Sequence, residues 1–228
     1  MKRLGIYFFF DKDGIVDKYV DYVLEDLTKH VDKLIVVCNG QLNERGRKTF
    51  EKFTGNIIVR ENKGFDVWAY KTAIDSEGWN KLIEYDEIIL MNYTIMGPVY
   101  PLKEMFDIMD KRLELDFWGI TKCFQENSPV AQQIWQCPYG YIPEHIQSSF
   151  MAFRRSIVSS TIFQKYWDEM PMIKSYYESG GSHEQYITKY FSDNGYRWDC
   201  YTNYDDMDEE IYTLSLIHIS EPTRLQLI

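Results

Sequence analysis

Two short stretches place ligand-binding side chains directly after apolar runs. The first reads Glu61-Asn62-Lys63-Gly64-Phe65-Asp66, and the second Ile88-Ile89-Leu90-Met91-Asn92-Tyr93-Thr94. In an open α/β sheet, ligands bind outside the carboxyl ends of the strands, so polar groups and glycines crowded there are candidates for contact. Gly64 allows close backbone approach, and the amides of Asn62, Lys63 and Gly64 together with the Asp66 carboxylate can meet a ribose or base. The simpler role for Asp66 is to cap the helix that follows. Asn92 and Thr94 can hydrogen-bond a phosphate or a sugar hydroxyl. A neutral pair is a poor site for a hard divalent cation, which favours carboxylate oxygens.

Two further places carry titratable groups. His183-Glu184 follows the flexible Ser179-Gly180-Gly181-Ser182 and begins an amphipathic segment. A carboxylate there can serve as a general base aimed into a pocket. The commoner role of such a pattern is structural, with Ser182 capping a helix and Glu184 favouring its positive end. His145 and Gln147 precede a strand and alternate with apolar neighbours, a pattern that can face a cleft. A lone histidine is more often a satisfied core or surface imidazole. Gly97-Pro98 and Pro101 read as a rigid turn that starts a helix, and the acidic run Asp205, Asp206, Asp208, Glu209 and Glu210 as solvated surface.

Apolar runs at 4–10, 34–38, 56–60 and 87–91 predict four strands, and helical spacing predicts helices over 15–29, 43–52, 66–74 and 79–84. This alternation defines an α/β domain with a doubly wound, mostly parallel sheet and helices on both faces. The second half predicts a helix over 102–113, a strand at 117–121, a long loop over 126–143, a strand at 149–154 and helices over 161–169 and 182–194. A loop of that length in a compact domain is often functional. No repeat or linker interrupts residues 1–213, which read as one domain.

Composition narrows the function classes. A 228-residue chain with 45% hydrophobic and 16% aromatic residues can fill a core. Its 18 tyrosines and 6 tryptophans supply rings suited to stacking sugars or bases. The net charge of −10 and pI near 4.9 exclude a surface built to grip nucleic-acid phosphates. No apolar run approaches the ~20 residues of a spanning helix. Cys38, Cys123, Cys137 and Cys200 lack CxxC spacing, and the amino terminus has no cleavage site. Both features fit reduced thiols in a cytoplasmic protein rather than a zinc site.

The run Leu214-Ser215-Leu216-Ile217-His218-Ile219-Ser220-Glu221-Pro222-Thr223-Arg224 agrees throughout with the translation of a transposase adapter used in library preparation. Residues 214–228 are accordingly read as a non-native tail, His218 is assigned no role, and the natural chain is expected to continue past Thr213.

The ordered motifs Asn-Lys-Gly-Phe-Asp (62–66), Ile-Ile-Leu-Met-Asn (88–92), Gly-Pro-Val-Tyr-Pro-Leu (97–102), Asp-Phe-Trp-Gly-Ile-Thr (116–121), His-Ile-Gln-Ser (145–148) and Glu-Gln-Tyr-Ile-Thr-Lys-Tyr-Phe (184–191) resemble the rhamnan synthesis protein F family across nearly all of residues 1–213. The resemblance implies a GT-A-like glycosyltransferase of bacterial cell-wall or surface polysaccharide synthesis, in the cytoplasm or at the inner face of the membrane. It implies a nucleotide-sugar donor such as dTDP-L-rhamnose and a saccharide or lipid-linked saccharide acceptor. Asn62, Lys63, Gly64, Asp66, Asn92 and Thr94 would hold the donor, Glu184 with His183 would be catalytic, and His145 and Gln147 would line the acceptor side. The commoner family pattern has Asn-Asp-Ser where this chain has Asn92-Tyr93-Thr94. Loss of that aspartate leaves Mg²⁺ or Mn²⁺ dependence open and can equally mark a changed substrate, so no metal ligand is assigned. The alternative function is a non-catalytic module that binds a saccharide or nucleotide sugar.

Overall fold

The computed structural model describes residues 1–202. In chain order the elements are β1 (Arg3–Phe10), α1 (Lys18–Leu27), β2 (Lys33–Asn39), α2 (Glu44–Glu51), β3 (Ile57–Arg60), α3 (Phe65–Glu77), α4 (Trp79–Leu82), β4 (Glu87–Asn92) and α5 (Leu102–Met109). There follow β5 (Phe117–Gly119), β6 (Lys122–Cys123), α6 (Pro129–Trp135), β7 (His145–Ile146), β8 (Phe150–Arg154), α7 (Arg155–Val158), α8 (Thr161–Asp168) and α9 (Tyr176–Ser179). A π-helical turn (Gly180–Glu184) runs into α10 (Gln185–Asp193), and β9 (Trp198–Cys200) ends the described chain. The acidic run at 205–210 and the tail at 214–228 lie outside the described residues.

The seven-stranded sheet has the order β3-β2-β1-β4-β8-β5-β9. All neighbours are parallel except β8, which runs antiparallel between β4 and β5. β1 is the switch point of this topology: the chain winds outward through β2 and β3, then returns to place β4 on the other side of β1. The doubly wound, mostly parallel α/β class expected from the sequence is therefore what forms.

Alternation along the strands supplies both faces of the sheet. Leu4, Ile6 and Phe8 of β1 join Val67 and Ile74 of α3, Phe163 and Trp167 of α8, and Ile187 and Phe191 of α10 in one core. Tyr7 and Phe9 turn to the other face, against Val20, Val23 and Leu24 of α1, Phe50 of α2 and Phe106 of α5. Strands covered on both faces must be apolar at nearly every position, which is why β1, β2 and β4 were legible as unbroken runs.

At the amino-terminal edge of the parallel strands, Glu87 is fully buried. It accepts hydrogen bonds from Arg3 Nε (2.8 Å) and Trp118 Nε1 (2.8 Å), with Arg154 Nε 3.6 Å away. Arg154 donates onward to the carbonyls of Met109, Arg112 and Leu115, closing the end of α5. This network lies at the opposite edge of the sheet from the candidate site.

The region expected to be a long loop over 126–143 is partly helical. Ser128 caps α6 through Ala131 N, Pro129 occupies its first turn, and Glu126 bridges to Ile142. Four cysteines are free. Among the described residues no helix is long and apolar enough to cross a membrane.

Candidate active site

One side of the site is built from the carboxyl ends of β2, β3 and β4 and the loops that leave β3 and β4. After β3, the chain turns through Gly64 (φ 77°) and Phe65 (φ 55°), two successive left-handed residues. A Cβ on Gly64 would stand 2.5 Å from the Trp68 side chain, so glycine is required for space as well as for its dihedral. Phe65 has no such licence, and a non-glycine residue there costs ~1–2 kcal/mol. Asn39, buried at the end of β2, holds the strained turn by donating Nδ2 to the Phe65 carbonyl (3.0 Å). Arg60 donates to Asn39 Oδ1 (2.7 Å) and to the Lys63 carbonyl (2.8 Å). Asn39 and Arg60 thus brace the 61–66 loop, and neither was singled out from the sequence. Their strand-end positions were the available signal.

The bracing delivers Asp66 into the second position of α3, half-buried. The cap position belongs to Gly64, so the capping role considered for Asp66 is not the one it has; its Oδ1 accepts from Val67 N (3.0 Å) within the first turn. Two longer contacts flank the carboxylate: Asn92 Nδ2 lies 3.4 Å from Oδ2, and Ser179 Oγ 3.4 Å from Oδ1. Thr94 orients Asn92, since its amide and its hydroxyl both donate to Asn92 Oδ1, at 2.7 and 2.5 Å.

Glu184 arrives from the far side of the cleft. It sits at the end of the π-helical turn rather than in the first turn of a helix capped by Ser182, which makes no cap bond. Such turns insert a residue into the helical register and recur at functional sites. Glu184 Oε2 accepts from Ser148 N (2.9 Å) and Ser148 Oγ (2.5 Å), while Oε1 accepts no bond among the described residues. Ser148 and Ser179 are two further supporting residues to which sequence reasoning gave no role; Ser148 lies between β7 and β8, and Ser179 ends α9.

The Asp66 carboxyl senses both its burial and the Glu184 charge. Burial is the main reason that the Asp66 carboxyl is held above its ordinary range, and the Glu184 charge adds to it. A carboxyl raised in the folded state favours folding fully below its unfolded value of about 3.9 and loses that contribution as pH rises through the folded value. Asp66→Asn is therefore expected to melt higher than the wild type at pH 7, the gap closing as pH falls toward 4. Thermal melts across that range check this; a wild type more stable at pH 7 would contradict the burial account.

Other sequence candidates are placed differently. His183 is 1% exposed, with Nδ1 2.7 Å from the Tyr166 hydroxyl, and burial pushes its pKa down to about 3. It is a neutral core residue behind the turn, and the catalytic role suggested by its adjacency to Glu184 is corrected: neighbours on a helical turn face different ways. His145 is 3% exposed with Nδ1 2.7 Å from the Pro143 carbonyl, so this ring packs in β7 instead of lining an open acceptor surface. Gln147 is half-buried between the Thr121 hydroxyl (2.5 Å) and Cys123 Sγ (3.4 Å). Lys63 pairs outward with Glu61 at 2.8 Å, and Asn62 is exposed near Gly40. Tyr93 packs its ring 5.6 Å from those of Phe8 and Phe9.

These features define an α/β domain in which two carboxylates lie near one another beyond the carboxyl ends of its parallel strands. The chain belongs to the rhamnan synthesis protein F family, which matches residues 34–225. A curated relative, the uncharacterized protein y4gN of Sinorhizobium fredii (strain NBRC 101917 / NGR234), is 23% identical over 150 residues, which make up 65% of this chain and 35% of the relative. Among solved structures, glucosyl-3-phosphoglycerate synthase of Mycobacterium tuberculosis in complex with UDP aligns over 68% of this chain and 57% of its own, at 12% identity and TM-score 0.42. The same synthase in complex with Mn²⁺, UDP-glucose and phosphoglyceric acid gives equal coverage, identity and TM-score. The chain thus spans about a third of the curated relative's length and under two thirds of the synthase's.

Proposed function

We propose that this domain is an inverting glycosyltransferase that moves L-rhamnose from dTDP-L-rhamnose to a growing cell-wall or surface polysaccharide, in the cytoplasm at the inner face of the membrane. The observation that supports it is the convergence of Asp66, Asn92 and Glu184 beyond the carboxyl ends of the parallel strands, within a family of rhamnan synthesis proteins.

In this reading Glu184 is the general base. As the acceptor oxygen bonds to the anomeric carbon, its proton passes to Glu184 Oε1, and the bond from that carbon to the diphosphate breaks with the electron pair leaving on the nucleotide. Ser148 fixes the carboxylate from behind. Asp66 and the Asn92 amide hold the donor, with Thr94 aligning Asn92 and Asn39 and Arg60 supporting the loop.

The residues do not fit a Mg²⁺ or Mn²⁺ ion at the diphosphate. Such ions favour several oxygen ligands, carboxylates foremost. Tyr93 directs its ring into the packing of Phe8 and Phe9, Asp11 Oδ1 accepts from the amides of Asp13 and Ile15, and the hydrogen-bond partners of Asp66 are the neutral Val67 amide, Asn92 and Ser179.

The test is acceptor-dependent nucleotide release from dTDP-L-rhamnose and other nucleotide sugars, with and without a chelator. Release that survives chelation is expected. Release only with added metal would refute the metal-free arrangement. Donor binding without turnover would favour a non-catalytic nucleotide-sugar binding module, a reading that the aromatic residue at 93 supports.

A further inference from the structure

An aromatic cluster with two rings open to solvent stands beside the segment that carries Glu184. Trp135, at the end of α6, has Tyr176 and Tyr177 of α9 against it, with centroids 5.7 and 5.6 Å away and rings inclined by 56° and 66°. Tyr176 is 65% exposed and Tyr177 55%.

The cluster is fixed to the segment that carries the proposed base. A Cβ on Gly180 would lie 2.4 Å from the Trp135 ring, and one on Gly181 1.8 Å from the Trp135 carbonyl oxygen. The two glycines thus let the π-helical turn close against Trp135, and three residues later that turn presents Glu184. On the other side Ser179, at the end of α9, reaches Asp66. Tyr176 lies within the field of both carboxylates: burial chiefly, then Glu184, Tyr177 and Asp66, raise its phenol above the usual range. Rings with an apolar face and a hydroxyl tip match the C–H face and hydroxyl rim of a neutral sugar.

We propose that Trp135, Tyr176 and Tyr177 form a saccharide subsite in which a neutral pyranose of the acceptor lies on the rings and offers its hydroxyl to Glu184. The acceptor role rests on the transferase reading, whereas saccharide binding can be measured without it.

The experiment compares the wild-type chain, a Tyr176→Ala/Tyr177→Ala double variant, and a Tyr22→Ala control altered at a tyrosine 58% exposed on α1. Each is titrated with a short rhamnose oligosaccharide by calorimetry and assayed for acceptor and donor KM, after thermal melts show the fold retained. The double variant is expected to bind the oligosaccharide about tenfold more weakly and to show an acceptor KM raised about tenfold, equivalent to ~1.4 kcal/mol, with donor KM within about twofold. The control should match the wild type. An equal loss on donor KM, unchanged acceptor parameters, or no saccharide binding by the wild type would overturn the subsite. Wild-type binding lost in the double variant, with no transfer from any donor, would uphold the subsite and reject the transferase.

Discussion

Glu184→Gln is expected to cut transfer by about 10²–10⁴-fold, the usual contribution of a positioned general base, while donor affinity and fold persist. Glutamine keeps the shape of the side chain, and its carbonyl oxygen can still accept from Ser148 N and Oγ. It cannot take the acceptor proton. The substitution has a second, independent signature. Glu184's charge is the lesser of two causes, after burial, that hold the Asp66 carboxyl above its ordinary range. Removing it should bring the Asp66 titration down toward that range, visible in a carboxyl-carbon NMR titration. Transfer at the wild-type rate would reject Glu184 as the base. An Asp66 titration that does not move would reject the coupling of the two groups.

Glu87→Ala is expected to destabilise the domain by about 3–5 kcal/mol, the loss typical when one partner of a buried ion pair is removed. The deletion strands the Arg3 guanidinium, which is 5% exposed, and takes the acceptor from Trp118 Nε1. Domains have total stabilities of roughly 5–15 kcal/mol, so the variant would be at the edge of folding. Glu87→Gln should lose less, since an amide oxygen can still accept from one of the two donors. Chemical denaturation of both variants decides the matter. An alanine variant within ~1 kcal/mol of wild type would mean that Arg3 finds compensation in Asp110, its other carboxylate partner.

Legibility in the sequence followed the physics of each element. β1, β2 and β4 were plain because burial on both faces requires unbroken apolar runs. The direction of β8 was not, since hydrophobic pattern carries no sign for parallel or antiparallel pairing, and α6 was hidden by the loop-like residues around it. Asp66 and Asn92 were visible from their positions after strands. Glu184 was visible as a residue, but its π-helical setting was hidden, because that turn depends on Trp135 meeting Gly180 and Gly181 from 45 residues away in sequence. His145 and His183 were misplaced for a related reason: adjacency in sequence does not reveal whether an imidazole faces a cleft or the core. The family resemblance is confirmed over residues 34–225, whereas the donor, the stereochemical outcome and the individual site roles rest on the experiments above.

The antiparallel setting of β8 has a temporal consequence. Because that strand begins at the edge where its parallel neighbours end, Ser149 receives the Asn92 amide through its carbonyl at 2.9 Å, stitching the two halves of the chain together at the cleft. One half carries Asp66 and Asn92; the other carries Ser148, Ser179 and Glu184. The first half is not covered until the second arrives, because Phe153, Phe163, Trp167, Ile187 and Phe191 complete the core against which β1, β4 and α3 pack, so the two groups of side chains come together only when the whole domain has folded.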